Sequence, residues 1–375
     1  MKIAIDVSPL ESGHRRRGVG FYVERLKRAL ERVDKRNSYI FFTRTKKLPR
    51  CDLIHYPYFD LFFLTLPLVK SGKTVVTIHD VIPLVFPQKF PKGIKGWIKF
   101  QIQKLSLKGV EAVITDSYNS KKDIVRFLHF PEERIFVVPL APGEEFKKLE
   151  IGNCLPREAR RAKWGKLEIG KKYSLPQKFI LYVGDVNWNK NIPGLVKAFS
   201  KLKSRFSGLK LVLVGRAFLE ETLPEVQTLL QLFKLLKCGG DVLRLGFVPT
   251  EDLVAIYNLA SVYVQPSFYE GFGLPVLEAL SCGTPVVCAR TSSLPEVGGK
   301  VAIYVNPYDI DDIARGISEV LRYDAMTRHK RVEEGLRWAK RFSWEKTAKE
   351  TIKVYEKIVK GEFPISNFQF LISNV

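Results

Sequence analysis

Glu270-Gly-Phe-Gly-Leu-Pro-Val-Leu-Glu278 concentrates more potential chemistry than any other segment of the chain. Two carboxylates flank a turn made flexible by Gly271 and Gly273, and Pro275 suits the first position of a helix. Glycine lets a backbone approach a ligand closely. The free amides at a helix start, together with the helix dipole, make an anion site. Glu270 before the turn and Glu278 in the first helical turn would then flank a phosphoester and accept hydrogen bonds from sugar hydroxyls. A tight turn whose acidic residue merely complements a helix N-terminus fits the same residues, so this segment alone leaves both readings open.

Other polar residues sit where apolar runs end. Lys190 lies in a polar loop after the run at 179–183 and just before a helical pattern. A cation there can stabilise the charge developing on a diphosphate leaving group. Asp185 in the same loop is an acid near that cation, and Arg216 or Arg290 could supply a compensating charge. His79 ends the run at 74–78 and is followed by Asp80, whereas His14, His55, His129 and His329 read as structural or exposed. Gly18-Val19-Gly20 opens a helix but is a poor dinucleotide fingerprint. Val23 stands where a third small residue belongs, and the next strand ends in Thr43-Arg44 with no acid for a ribose, which argues against a nicotinamide site. Asp309-Ile-Asp311 has a metal-binding spacing, yet it opens a helix and reads as an N-cap.

These residues need strands and helices to position them. Short apolar runs at 2–7, 39–43, 52–56, 74–78, 111–115 and 134–138 alternate with helical periodicity at 18–33, near 96–108 and near 117–128. Residues 142–172 are polar and charged and read as a linker. The alternation restarts with strands at 179–183, 209–215, 242–246, 261–265, 285–289 and 301–305. Helices are expected at 192–206, 222–237, 250–259, from Pro275 and at 309–322, followed by 325–341 and 343–360. Buried strands with intervening helices predict parallel sheets of βαβ units. The fold class is therefore α/β, with two doubly wound domains in series. The expected boundaries are 1–172 with the linker, 173–342, and 343–375 as a crossing helix plus tail. Ligands in such sheets bind beyond the carboxyl ends of the strands, which points to a cleft between the domains.

The chain has 375 residues with 46% hydrophobic and 27% charged, an ordinary globular composition that excludes disordered and disulfide-scaffold classes. The longest uncharged stretch, 253–269, is 17 residues and contains Asn258, Gln265 and Pro266, too short and too polar for a membrane helix. The first seven residues read as a strand rather than a signal peptide. Five cysteines without a CxxC pair suggest reduced thiols and a cytoplasmic location. The net charge of +22 is uneven: residues 1–50 carry 14 basic against 5 acidic, residues 151–200 carry 10 against 3, and residues 251–350 carry 12 against 14. Such clustering suits an anionic partner. The apolar run 61–69, between Asp60 and Lys70, combined with the basic first 50 residues, would suit a peripheral position at an anionic inner membrane surface.

Glu270 to Glu278 followed by ALSCGTPVVCA resembles the retaining GT-B glycosyltransferases of family four, which move a sugar from a nucleotide diphosphate. Residues 181–199 resemble the family's phosphate-gripping loop, and residues 243–267 resemble its nucleoside-contacting stretch. Residues 16–26, 75–87 and 113–124 resemble the acceptor and active-site loops of its first domain. The resemblance implies a GT-B fold of two Rossmann-like domains around a cleft. It implies His79, Glu270 and Lys190 as catalytic residues, with His79 facing the transferred sugar. It implies donor contacts from Gly18, Gly20, Gly184, Asn189, Lys190, Gly246, Phe247, Gly271, Phe272, Gly273, Leu274 and Glu278. It implies no metal and no further cofactor, a GDP- or UDP-linked sugar as donor, and a glycan or polyprenyl-linked acceptor. The similarity of HDVIPLVFP to mannosyltransferases makes GDP-mannose the first donor to expect. A nucleotide-sugar 2-epimerase of the same fold is the alternative, although no second histidine or carboxylate is evident at an equivalent strand end. Nucleic-acid binding, suggested by the charge, lacks any recognisable motif.

Overall fold

The computed structural model describes residues 1–11, 18–44, 50–149 and 168–362. Its strands form two six-stranded sheets in which every pairing is parallel. The first contains β1 (Lys2–Asp6), β2 (Ser38–Phe42), β3 (Leu53–Tyr56), β4 (Thr74–Thr77), β5 (Ala112–Thr115) and β6 (Ile135–Val137), in the order β2-β1-β3-β4-β5-β6. The second contains β7 (Lys178–Val183), β8 (Leu209–Val214), β9 (Val242–Leu245), β10 (Val262–Gln265), β11 (Val286–Ala289) and β12 (Ile303–Val305), in the order β12-β11-β10-β7-β8-β9. Every residue of β3, β4, β5, β10 and β11 is buried, because helices cover both faces. The expected α/β architecture of two doubly wound sheets is present.

Helices follow strands as the periodicity predicts. In the first unit they are α1 (Gly18–Val33), the short α2 (Ile82–Val85), α3 (Gly93–Ser106) and α4 (Tyr118–Asp123). The second unit has α5 (Ile192–Leu202), α6 (Pro224–Leu235), α7 (Thr250–Leu259), α8 (Leu274–Ser281), α9 (Leu294–Gly298), α10 (Ile310–Leu321) and α11 (Ala325–Ala339), and α12 (Trp344–Lys360) ends the described chain. Helix α1 buries Tyr22, Val23, Leu26, Ala29 and Leu30, a single face at helical spacing. The helix expected over 117–128 is divided. After α4 the backbone widens into a π-helical turn, Ile124–Leu128, which His129 stops in the left-handed conformation with φ 55°. Asp309 caps α10 by accepting from the backbone N–H groups of Asp311 and Asp312 at 2.9 and 3.1 Å, so the DxD spacing has a structural cause.

Of the expected linker, residues 150–167 lie outside the described residues. Its first part docks on the second unit: Leu149 N–H donates to Asn258 at 2.8 Å, and Lys148 pairs with Glu333 at 3.0 Å. Helix α12 returns to the first unit. Thr347 Oγ1 donates to the Pro139 carbonyl at 2.7 Å, and Lys73 Nζ donates to the carbonyls of Ile358 and Val359 at 3.1 and 2.9 Å. Its buried Tyr355 hydroxyl meets His55 Nδ1 at 2.7 Å, while His55 Nε2 meets Thr77 Oγ1 at 2.8 Å. Burial pushes the His55 imidazole down to about 3, so the ring is a neutral structural link.

Candidate active site

Strand order in the second sheet reverses at β7, which has β8 on one side and β10 on the other. Doubly wound sheets open a crevice at such a point, beyond the carboxyl ends of the two strands. The turn after β7 carries Asn189 and Lys190, and the turn after β10 carries Ser267 and Glu270. They meet. Lys190 Nζ donates to both carboxylate oxygens of Glu270, at 2.9 and 2.7 Å. Glu270 Oε1 also accepts from Gln265 Nε2 and Ser267 Oγ, each at 2.7 Å. Asn189 Nδ2 donates to the Tyr269 carbonyl, and the Asn189 carbonyl accepts from Phe268 N–H. Asn191, left-handed at φ 53°, clamps the Pro266 and Pro307 carbonyls. Ser293 Oγ donates to the carbonyls of Glu270 and Phe272 at 2.9 and 2.8 Å and so holds the glycine turn. Gly273, at φ 104°, turns the chain into α8.

The first sheet contributes a second cluster. His79 follows β4 and Asp116 follows the neighbouring β5, so parallel pairing brings both to the same edge. His79 Nδ1 contacts Asp116 Oδ2 at 2.8 Å, and Tyr22 of α1 stands edge-on to the ring at 4.7 Å. His79 Nε2 and Asp116 Oδ1 are buried without a hydrogen-bond partner. Burial works against a charged ring. Asp116, by charge and hydrogen bond, outweighs it with help from the charge of Asp80, so the imidazole titrates above its usual value. Asp80 is shifted up by burial, against the opposing pull of Ile82 N–H, His79 and Lys190. A protonated His79 can therefore present an N–H from Nε2 to an oxygen.

The two clusters face each other. A Cβ on Gly271 would lie 2.8 Å from Cβ of Asp80, so only glycine permits this approach. Ser117 and Ser120 donate to the Gly271 carbonyl at 2.8 and 3.1 Å. Glu296 of α9 accepts from the N–H groups of Tyr118 and Asn119 at 2.8 and 2.9 Å, a carboxylate from one unit on the helix start of the other. Phe86 packs between Trp188 and Tyr269, at 5.1 and 5.4 Å between ring centroids. The result is a cleft with a cation and an anion on one wall and an imidazole–carboxylate pair on the other. Such groups can hold a diphosphate, orient hydroxyls and stabilise charge on a departing oxygen.

Comparison with known proteins agrees with this fold. A family model described as "Glycosyltransferase Family 4" matches residues 7–141, and one described as "Glycosyl transferases group 1" matches residues 168–338. The chain is 35% identical over 295 residues to O-antigen chain mannosyltransferase B of Escherichia coli, covering 76% of this chain and 71% of the relative. The chain belongs to the family 4 glycosyltransferases. It is also 29% identical over 290 residues to the serotype-specific mannosyltransferase WbdA of Escherichia coli, covering 77% of this chain and 34% of that longer protein. Among solved structures it is similar to Anabaena HepE in complex with UDP and glucose, with a TM-score of 0.72 and 16% identity, covering 95% of this chain and 100% of that one. That likeness supports the GT-B fold.

The glycosyltransferase cleft gathers some of the residues marked in the sequence and leaves others apart. Asn189, Lys190, Glu270, Gly271 and Phe272 are joined by the contacts above. Leu274 begins α8, and Glu278 lies in its second turn rather than its first, because the helix starts one residue before Pro275. Glu278 accepts from the Tyr257 hydroxyl at 3.0 Å, and burial pushes its carboxyl up to about 7, partly opposed by Tyr257 and Arg25. Gly184 and Gly215 are packed where side chains have no room: a Cβ on Gly215 would fall 2.0 Å from the Gly184 carbonyl oxygen. Gly246 and Phe247 follow the edge strand β9, where Gly246 abuts Leu219 and Phe247 is exposed. Gly18 and Gly20 open α1, and the loop before them at 12–17 lies outside the described residues. Asp185 binds its own neighbour, Val186 N–H, at 2.8 Å; Arg216 pairs with Glu220 at 3.1 Å, and Arg290 is exposed.

Sequence reasoning assigned no role to Asp80, which it noted beside His79, and missed Asp116, Ser117 and Glu296. Asp116 had a usable signal, since it directly follows a buried strand. It also corrects the expectation that no second carboxylate stands at a strand end. Glu296 carried no such signal, because its partner amides are 178 and 177 positions away in the chain.

Proposed function

We propose that this glycosyltransferase moves a mannosyl residue, with retention, from GDP-mannose to a glycan or polyprenyl-linked acceptor in cell-envelope polysaccharide synthesis. The observation that carries the reading is the 35% identity over 295 residues to an O-antigen mannosyltransferase. In this scheme the acceptor oxygen attacks the anomeric carbon on the face from which the diphosphate departs. The carbon–oxygen bond to phosphate breaks, and the leaving diphosphate takes the acceptor's proton. Lys190 steadies the diphosphate, Glu270 orients the sugar hydroxyls, and His79 donates from Nε2 to a sugar or phosphate oxygen. Glu278 holds the ribose. Lys190 and the backbone amides around Gly271–Gly273 supply the electrostatic stabilisation, so the scheme calls on no metal.

The enzyme would work at the cytoplasmic face of the membrane, where activated sugars and polyprenyl carriers meet. The test is a screen of GDP- and UDP-linked hexoses with mass detection of hydrolysis and transfer. Faster turnover of GDP-mannose than of the other donors supports the reading. Turnover of UDP-glucose alone would replace the donor, and release of a 2-epimer of the sugar would replace the reaction.

A further inference from the structure

Helix α3 is built inside-out. Its inner face buries Phe100 and the polar Gln103, while Ile94, Trp97, Ile98 and Leu105 point to solvent, 81, 51, 47 and 51% exposed. Their spacing makes one stripe along the helix. The run at 61–69 divides in the same way. Leu61 and Leu66 are core, but Phe63, Leu64, Leu68 and Val69 are exposed. The two elements form one surface. Gln103 Nε2 donates to the Asp60 carbonyl at 2.9 Å and to Thr65 Oγ1 at 2.8 Å, and Lys99 lies over the Phe63 ring at 5.1 Å. More than half of the large exposed hydrophobic side chains among the described residues sit here, a concentration that marks an interaction site.

The charge around it is mainly positive, although Asp60 and Glu111 border the segment. Residues 61–110 contain 8 lysines and a single acidic residue, Asp80, which lies in the cleft. Lys92, Lys95, Lys99, Lys104 and Lys108 all belong to α3 or its ends. Among the described basic residues of 1–50, Arg25, Arg28, Arg32, Arg36 and Arg44 are held in ion pairs, with Glu145, Glu24, Glu144, Glu356 and Asp6. Among the described residues, the lysines that share a surface with the apolar run are those of α3, with Lys99 over Phe63.

We propose that α3 and the 61–69 segment dock this enzyme on a bilayer containing anionic phospholipid. The apolar stripe enters the headgroup boundary, Trp97 sits at the interface, and the lysine stems extend outward so that their ammonium groups meet lipid phosphates. An acidic protein partner fits less well, because the apolar centre is a convex helix stripe, with a pocket only beside its C-terminal end, at Gln101, Lys104, Leu105 and Lys108. Residues 86–92 connect this surface to the cleft, where Lys89 lies over Trp188 at 5.2 Å, so a lipid-linked acceptor would be presented beside the site. Only that last consequence rests on the proposed acceptor; docking itself does not.

Sedimentation with vesicles, without donor or acceptor, tests the proposal. The enzyme should bind vesicles of mixed phosphatidylglycerol and phosphatidylcholine at low salt and bind pure phosphatidylcholine far less. The Ile94→Asp/Ile98→Asp variant should lose about tenfold or more in partitioning, with an unchanged circular dichroism spectrum and unchanged donor hydrolysis. Lys95→Glu/Lys99→Glu should abolish the preference for anionic vesicles. Failure of the native enzyme to bind anionic vesicles, or equal binding by the Ile94→Asp/Ile98→Asp variant, overturns it. So does a concentration-dependent dimer that Ile98→Asp dissolves, which would assign the surface to a second copy. Donor turnover measured separately reports on the glycosyltransferase reading whatever the vesicles show.

Discussion

Asp116 is the residue whose role depends most on its surroundings. It holds His79 by Nδ1 and raises the ring's pKa, so the imidazolium form is present below that value and lost as pH rises through it. If protonated His79 donates to an oxygen, kcat/KM should fall on the alkaline side with that titration. Asp116→Asn removes the favouring charge and should move the fall to lower pH by about one unit, with donor KM nearly unchanged. A profile identical to that of the native enzyme would remove His79 from the pH dependence. Glu278 behaves oppositely to an ion-paired carboxylate. Its folded pKa, about 7, lies above the ordinary 4.5, so its contribution to stability is full below 4.5 and is lost as pH rises through 7. Glu278→Gln should therefore gain most in Tm, relative to the native enzyme, above neutrality and little in mild acid, as scanning calorimetry at both pH values would reveal. Lys190 and Glu270 act as a unit. With Glu270 6% exposed, removing either partner leaves a charge poorly compensated and should cost about 3 kcal/mol. The Lys190→Ala/Glu270→Ala double variant should cost clearly less than the sum, measured in urea. Additive losses would mean that the pair is not coupled.

At the scale of elements, the interface between the units is specified by loops and helix starts. Glycine at 271 lets one loop reach Asp80, and serines at 117 and 120 receive its carbonyl. Glu296 fixes α4 from across the cleft. Its replacement by alanine removes two charge-assisted contacts to backbone amides and should cost about 1 kcal/mol. The same change should let the units separate, raising the radius of gyration in small-angle scattering and raising donor KM. An unchanged radius and KM would show that Glu296 does not hold the cleft. The inside-out packing of α3 is the other lesson at this scale. A helix with a buried glutamine and exposed isoleucines is stable here because Gln103 satisfies the turn at 60–66.

For the whole molecule, α12 joins the two ends of the chain. Tyr355, His55, Thr77 and Tyr22 form a buried chain of hydroxyl and imidazole contacts that reaches the end of β4, two residues before His79. Tyr355→Phe leaves His55 Nδ1 without its partner and should destabilise the protein by about 1–3 kcal/mol, read as a lower urea midpoint. Donor KM should stay near its native value. A change confined to KM would instead place this network in substrate binding.

Local pattern determined much of this protein on its own. Buried parallel strands announce themselves as apolar runs, helices as 3.6-residue periods, and a strand's end is where a doubly wound sheet exposes its chemistry. Lys190, His79 and Glu270 could be marked from those rules because each depends on its own neighbours in the chain. The caps at Asp309 and the structural character of His55 were legible for the same reason. Only the tertiary structure decided which of them meet. Lys190 finds Glu270 because strand order reverses at β7, a fact of topology that periodicity does not encode. Asp116 reaches His79 because β4 and β5 pair in parallel register. Glu296 reaches α4 only when two separately folded sheets approach. The surface of α3 was hidden for a related reason: composition records that isoleucine, tryptophan and lysine alternate there, but which face is covered depends on what packs against it.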